Sequence, residues 1–119
     1  MTTLFVTHVG VVAIGRNEGA RLIRCLKSLQ ANLPSNVAII YVDSDSTDNS
    51  IDEAKNKGVE VVQLDMSVPF TAARARNAGF ERLMEIAPQT QYVQFIDGDC
   101  ELLSDWIEPA IAFLSQHSD

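Results

Sequence analysis

Tyr92-Val93-Gln94-Phe95-Ile96-Asp97-Gly98-Asp99 runs an apolar, strand-forming segment straight into two carboxylates, one residue apart, on a glycine-containing turn. Two carboxylates flanking a glycine can turn toward one hard cation. Mg²⁺ typically takes one or two carboxylates, keeps several waters and adds phosphate oxygens, so such a cation in turn suits a diphosphate. The competing reading is a plain acidic turn, since Asp-Gly is a common turn dipeptide. Position favours the first, because ligands of open α/β sheets bind beyond the carboxyl ends of buried strands. Asp97 and Asp99 are therefore candidate metal ligands.

The segments around this run repeat its logic. Residues 9–14 and 37–42 are continuous β-rich apolar runs, as strands buried on both faces are, and residues 59–64 read as a third strand. Between them lie helical patterns. Residues 19–32 carry Leu22, Ile23, Leu26 and Leu29 at helical spacing and stop before Pro34. Residues 48–57 place Asp48, Asp52 and Glu53 early, Lys55 and Lys57 late, and Gly58 at the end, the order that complements a helix dipole. Residues 71–86 predict an alanine-rich helix with Phe80, Leu83 and Met84 on its apolar side. Tyr92 to Ile96 makes the fourth strand. After Ser104, Trp106, Ile107, Ala110, Ile111 and Leu114 recur at helical spacing, with Pro109 tolerable near the start. The alternation predicts an α/β fold: three layers, α/β/α, around a mostly parallel sheet of about four strands, as one domain over residues 1–119.

A chain of 119 residues can bury one continuous core. Its net charge of −7 argues against nucleic acid and offers no basic stripe to an anionic membrane. An anionic ligand would need a metal ion or a few arginines between itself and these acids. Cys25 and Cys100 have no zinc-type spacing and fit a reducing compartment. The apolar stretch 4–14 lacks a basic leader and is too short to span a bilayer, so a cytoplasmic protein without a membrane segment is expected.

Two other strand ends carry polar loops. Gly15-Arg16-Asn17-Glu18 follows the first strand; Glu18 suits the first turn of a helix, and no dinucleotide fingerprint or P-loop is present. Asp43-Ser44-Asp45-Ser46-Thr47-Asp48 follows the second. It starts like a calcium loop but puts Asp48 at the required glycine and Ala54 at the required glutamate. Its later residues suit helix capping, while Asp43, at the strand end, is freer to meet a ligand. Arg74 and Arg76 lie in the first turns of the 71–86 helix, where a cation opposes the dipole unless an anion binds nearby. For Arg74 the alternative is a solvated pair with Glu81 or Glu85. His8 and His117 are isolated, and Trp106 lies on an apolar face.

Val11-Val12-Ala13-Ile14-Gly15-Arg16-Asn17-Glu18 resembles the opening of family 2 glycosyltransferases of the GT-A fold. Tyr41-Val42-Asp43-Ser44-Asp45-Ser46-Thr47-Asp48 resembles their second-strand motif, with Asp45 where that motif has glycine. Ala75-Arg76-Asn77-Ala78-Gly79 is similar to their Arg-Asn-x-Gly segment, and Phe95-Ile96-Asp97-Gly98-Asp99 to their DxD motif. The resemblance implies a nucleotide-diphosphate sugar donor, held by Ile14, Arg16, Glu18, Asp43, Asp45, Arg76 and Asp97. It implies Mg²⁺ or Mn²⁺ on Asp97 and Asp99, and transfer of the sugar to an acceptor hydroxyl.

In that family the acceptor half and its general base follow the DxD segment. Glu101, Asp105 and Glu108 come after it here, and none matches the base's usual place. The expectation is therefore a donor-binding portion without the acceptor half, with an exposed apolar edge or helix face that invites self-association. A non-catalytic nucleotide-sugar binding or assembly module is the alternative. A phospho-receiver domain fits less well, because the first strand ends Gly15-Arg16-Asn17 rather than in paired acids. A nucleotidyltransferase would need a glycine-rich basic loop there.

Overall fold

A computed structural model describes residues 9–34 and 37–100. The helical segment expected after Ser104, the acids Glu101, Asp105 and Glu108, and both histidines lie outside the described residues. Four strands alternate with three helices: β1 (Val9–Gly15), α1 (Ala20–Asn32), β2 (Ala38–Asp43), α2 (Ser50–Asn56), β3 (Glu60–Gln63), α3 (Ala72–Ile86) and β4 (Tyr92–Asp97). All strand pairs are parallel and the sheet order is β3-β2-β1-β4. The α/β architecture and the parallel sheet are those expected from the alternation, with element ends shifted by a residue or two.

β1 shows no polar alternation because both its faces are covered. Val9, Val11 and Ala13 pack with Leu22, Cys25, Leu26 and Leu29 of α1 and with Ala54 of α2. Val12 and Ile14 point the other way, toward Ala75 and Leu83 of α3. Each fully buried aliphatic side chain of this kind stabilises the fold by about 1.5–3 kcal/mol. In α1 the buried stripe takes Cys25 in place of Ile23, which is only half-buried.

The apolar side of α3 departs from the expectation. Its buried residues are Ala75, Gly79 and Leu83, whereas Phe80 is 41% exposed and Met84 half-buried. The reason is proximity. A Cβ on Gly79 would lie 2.4 Å from Val12 Cγ1 and 2.8 Å from Val42 Cγ2, so the helix sits where only small residues fit. Phe80, one position on, is turned outward.

The chain builds β1, β2 and β3 toward one side, then returns to place β4 on the other side of β1. This reversal opens a crevice beyond the carboxyl ends of β1 and β4, where Ile14 is paired with Asp97. Among the described residues β4 has β1 as its one strand neighbour, and Phe95 on it is 39% exposed. No helix among the described residues is long and apolar enough to cross a membrane.

Candidate functional site

A cleft of about 330 Å³ opens at this switch point, lined by Ile14, Gly15, Arg16, Glu18, Ser44, Met66, Phe70, Asp97 and Asp99. It collects residues that come after all four strands. Of the expected site residues it brings together Ile14, Arg16, Glu18, Asp97 and Asp99, while Asp43, Asp45 and Arg76 do not line it. Ser44, Met66 and Phe70 are additions that the sequence did not mark. Ser44 lies in the 43–48 loop but has no role assigned from the sequence, and its amide donates to Gly15 O at 3.0 Å; the segment of Met66 and Phe70 carries no motif.

On the β1 side, α1 begins at Ala20, so Glu18 precedes the helix instead of occupying its first turn. Gly19 adopts φ 54°, a left-handed conformation that glycine enters without steric cost. Glu18 instead folds over the strand ends: a Cβ at Gly15 would lie 3.2 Å from Glu18 Cγ, and one at Gly98 3.6 Å from it. Arg21 Nη2 sits 3.1 Å from Glu18 Oε1. Arg16 is exposed and makes no ion pair among the described residues. Asn17, passed over in the sequence, joins two loops. Its amide N–H donates to Ser46 Oγ at 2.9 Å, and its Oδ1 accepts from the N–H groups of Thr47 at 2.7 Å and Asp48 at 3.3 Å. Asn17 has φ 51°, and asparagine is among the few residues that tolerate this region, which is the signal a sequence reading had available.

On the β2 side, Asp43 is buried beneath its own loop, not set on the cleft wall. Its Oδ1 accepts from the Tyr41 hydroxyl at 2.7 Å and from Ser46 Oγ at 2.6 Å, and its Oδ2 accepts from the Ser46 amide at 2.8 Å. The turn at Asp45, with φ 64°, curls Ser46 back over the carboxylate. Burial, and then the adjacent Asp43 carboxylate, push the Tyr41 phenol well above its ordinary value. Asn49 is the N-cap residue of α2 and makes no side-chain cap; Asp48 before it accepts at Oδ1 from the Ser50 amide at 2.9 Å. The Ser50 hydroxyl holds the Asp48 carboxyl below its usual range.

The β4 turn is built differently. The Gly98 amide donates to Ile14 O at 2.7 Å, and a Cβ there would come within 3.1 Å of the same oxygen. The main chain is thus held against β1, and the carboxylates of Asp97 and Asp99 are left exposed on the cleft. Arg76 Nη2 stands 4.0 Å from Asp97 Oδ1, a partly exposed pair. Among the described residues no three histidine, cysteine or acidic side chains cluster as a closed metal cage. Two exposed hard-oxygen donors on one cleft nonetheless fit a cation that fills its remaining positions with water and phosphate oxygens. Arg74 does not pair with Glu81 or Glu85. Its guanidinium donates to the carbonyls of Asp65, Val68 and Pro69.

With this geometry established, comparison with known proteins adds the family. Residues 11–119 match the family model for glycosyl transferase family 2. The chain belongs to that family. Solved structures share its fold. TarS from S. aureus in complex with UDP is 23% identical with a TM-score of 0.70, over 92% of this chain and 32% of that one. The mannosyltransferase PcManGT from Pyrobaculum calidifontis, in complex with GDP-Man and Mn²⁺, is 18% identical with a TM-score of 0.71, over 91% of this chain and 32% of that one. Glucosyl-3-phosphoglycerate synthase from Mycobacterium tuberculosis, with Mn²⁺, UDP and glucosyl-3-phosphoglycerate, is 23% identical with a TM-score of 0.56, over 85% of this chain and 39% of that one. The family 2 chain therefore spans about a third of the length of these structures. No curated protein matches the sequence.

Proposed function

We propose that the cleft binds a nucleotide-diphosphate sugar together with Mg²⁺ or Mn²⁺, as the donor site of a glycosyltransferase that passes the sugar to an acceptor hydroxyl. The observation that carries this reading is the meeting of Asp97 and Asp99 with Ile14, Arg16 and Glu18 in one cleft at the β1/β4 switch point of a family 2 chain. The net charge of −7 gives the cation a reason to be there, because a diphosphate would otherwise face bare carboxylates. Asp97 and Asp99 would hold the ion, which supplies Lewis-acid stabilisation of a leaving nucleoside diphosphate.

The chain's own groups divide the remaining work. Arg76, beside Asp97, and Arg16, without an ion-pair partner among the described residues, offer guanidinium donors to phosphate oxygens. Ile14, Gly15, Glu18 and Ser44 line the same cleft, and the nucleoside would lie on its Gly15 and Ser44 side, where β1 meets β2. Asp43, held by Tyr41 and Ser46, fixes the loop that carries Ser44, and Asp45 is the exposed turn residue of that loop. A cytoplasmic location belongs to the same reading and agrees with two free thiols, one of them buried.

A thermal-shift panel of UDP, GDP, CDP and TDP, each with and without Mn²⁺, tests the site. One nucleotide is expected to raise the melting temperature only with Mn²⁺, and Asp99→Ala is expected to abolish the rise. A folded sample that responds to none of the four would remove the donor reading. Sugar transfer or donor hydrolysis would separate a working transferase from a module that only binds.

A further inference from the structure

Residues 64–71 connect β3 to α3 without regular structure, yet they are tied down along their length. The Leu64 amide donates to Asp43 O at 2.9 Å, fixing the start of the segment to the end of β2. Asp65 Oδ1 accepts from the amide of Ser67 at 3.0 Å and from its hydroxyl at 2.7 Å, which closes a tight turn. Thr71 Oγ1 accepts from the Arg74 amide at 3.0 Å and caps α3. The Arg74 side chain then reaches back, donating through Nη1 to Val68 O at 3.2 Å and Pro69 O at 3.4 Å, and through Nη2 to Asp65 O.

Three carbonyls converging on one planar guanidinium is an arrangement that a forked donor satisfies and a point charge does not. It also accounts for a cation in the first turn of α3, where the helix dipole disfavours it. Held in this way, the segment directs Met66 and Phe70 into the cleft, with Phe70 still 48% exposed. An aromatic side chain fixed in the open, against apolar burial, is poised to cover a ligand.

We propose that Arg74 is a positioning residue: it clamps the 65–70 segment so that Met66 and Phe70 form an apolar wall against the nucleoside of the bound donor. The segment leaves β3 at one edge of the sheet and brings Met66 and Phe70 into the same cleft as Asp97 and Asp99 of the β4 turn. A donor with its diphosphate at the acids extends its nucleoside toward them. The role rests on the donor reading above, but Arg74 touches loop carbonyls and not the ligand.

The test is a double-mutant cycle. Its probe is whichever of UDP, GDP, CDP and TDP gives the largest Mn²⁺-dependent shift. Arg74→Ala and Phe70→Ala are each expected to raise its Kd about tenfold, the size of one lost base-on-aromatic contact. The double variant is expected to be no worse than either single one, because Arg74 acts through Phe70. Arg74→Lys is expected to behave like Arg74→Ala. Amide hydrogen exchange without nucleotide is expected to rise across residues 65–70 in Arg74→Ala and to stay at the wild-type rate in Phe70→Ala. Additive losses, or rescue by lysine, would mean that Arg74 meets a phosphate directly and would overturn the clamp. Unchanged exchange across 65–70 would overturn it while leaving the donor site standing. Wild-type protein that binds none of the four nucleotides would remove the donor site and this role with it.

Discussion

Asp43 closes β2 and Asp97 closes β4, each after an apolar run, yet Asp43 is 1% exposed while 62% of the Asp97 side chain is open. The turn after each aspartate decides the difference. Beyond Asp43 the chain passes through a left-handed residue and returns the Ser46 amide and hydroxyl to the carboxylate, while the Tyr41 hydroxyl arrives from within the sheet. Beyond Asp97 the Gly98 amide is bonded to Ile14 O, so the turn folds onto β1 and leaves the carboxylate exposed, with only a partly exposed Arg76 contact at 4.0 Å among the described residues. Position in the sheet reinforces the contrast. β2 lies between β1 and β3, whereas β4 borders the switch-point crevice. The same residue type after the same kind of strand is thus a structural anchor in one place and an available ligand group in the other.

The largest expected effect comes from removing each carboxylate in turn. Asp43→Ala leaves a buried hydroxyl and a loop amide without their charged acceptor, and should cost about 2–4 kcal/mol of stability. Asp97→Ala removes an exposed group and should change stability by no more than about 0.5 kcal/mol. Urea unfolding of both variants, read beside the Mn²⁺-dependent nucleotide shift, separates the roles. Asp43→Ala should lose stability in the absence of any ligand, and Asp97→Ala should lose only the nucleotide response. Equal destabilisation by the two would erase the contrast.

Titration sharpens it next. The Tyr41 phenol is pushed above its ordinary value by burial and by Asp43, so the fold favours the neutral form. A group raised in the folded state contributes its full stability below its unfolded pKa, about 10 for tyrosine, and loses it as pH climbs toward the folded value. Stability should therefore fall above about pH 10. Tyr41→Phe should be about 1–2 kcal/mol less stable than wild type at pH 8, for want of the bond to Asp43, and should show a shallower decline between pH 8 and pH 11. Urea midpoints at the two pH values measure this, and parallel declines would dissociate Tyr41 from the anchor.

Much of this architecture was legible in the sequence, for reasons that differ by element. Residues 9–14 could be read as a strand because both faces of β1 are covered, so no polar residue interrupts the run. The acids of the cleft were legible because they sit at strand ends, and a parallel sheet gathers strand ends on one rim. Phe80 was misplaced because helical periodicity reports apolar character and not distance. Only the approach of Gly79 to Val12 and Val42 shows that the inner face of α3 has no room for a ring. The burial of Asp43 depends on a turn that brings back a residue three positions on, together with a phenol two positions earlier, and residue type dictates neither. Arg74 was equally hidden, since its acceptors are main-chain carbonyls that every sequence possesses.

The smallest effect bears on Asp45, the turn residue that makes Asp43 an anchor. The resemblance to family 2 put glycine at this position, and the structure supplies a reason for one: φ is 64°. The left-handed region costs an L-residue roughly 1–2 kcal/mol, less for aspartate, while glycine costs about 0.5–1 kcal/mol of additional chain entropy. These terms nearly cancel, so Asp45→Gly should stabilise the protein by at most about 0.5 kcal/mol, whereas Asp45→Ala should destabilise it by about 1 kcal/mol. Asp45 is exposed and does not line the cleft, so neither change should alter Mn²⁺-dependent nucleotide binding. A loss of binding in Asp45→Gly with stability intact would show that this exposed carboxylate reaches the donor. The loop after β2 would then contribute a ligand group as well as an anchor, and its contrast with the β4 turn would narrow to Asp43 alone.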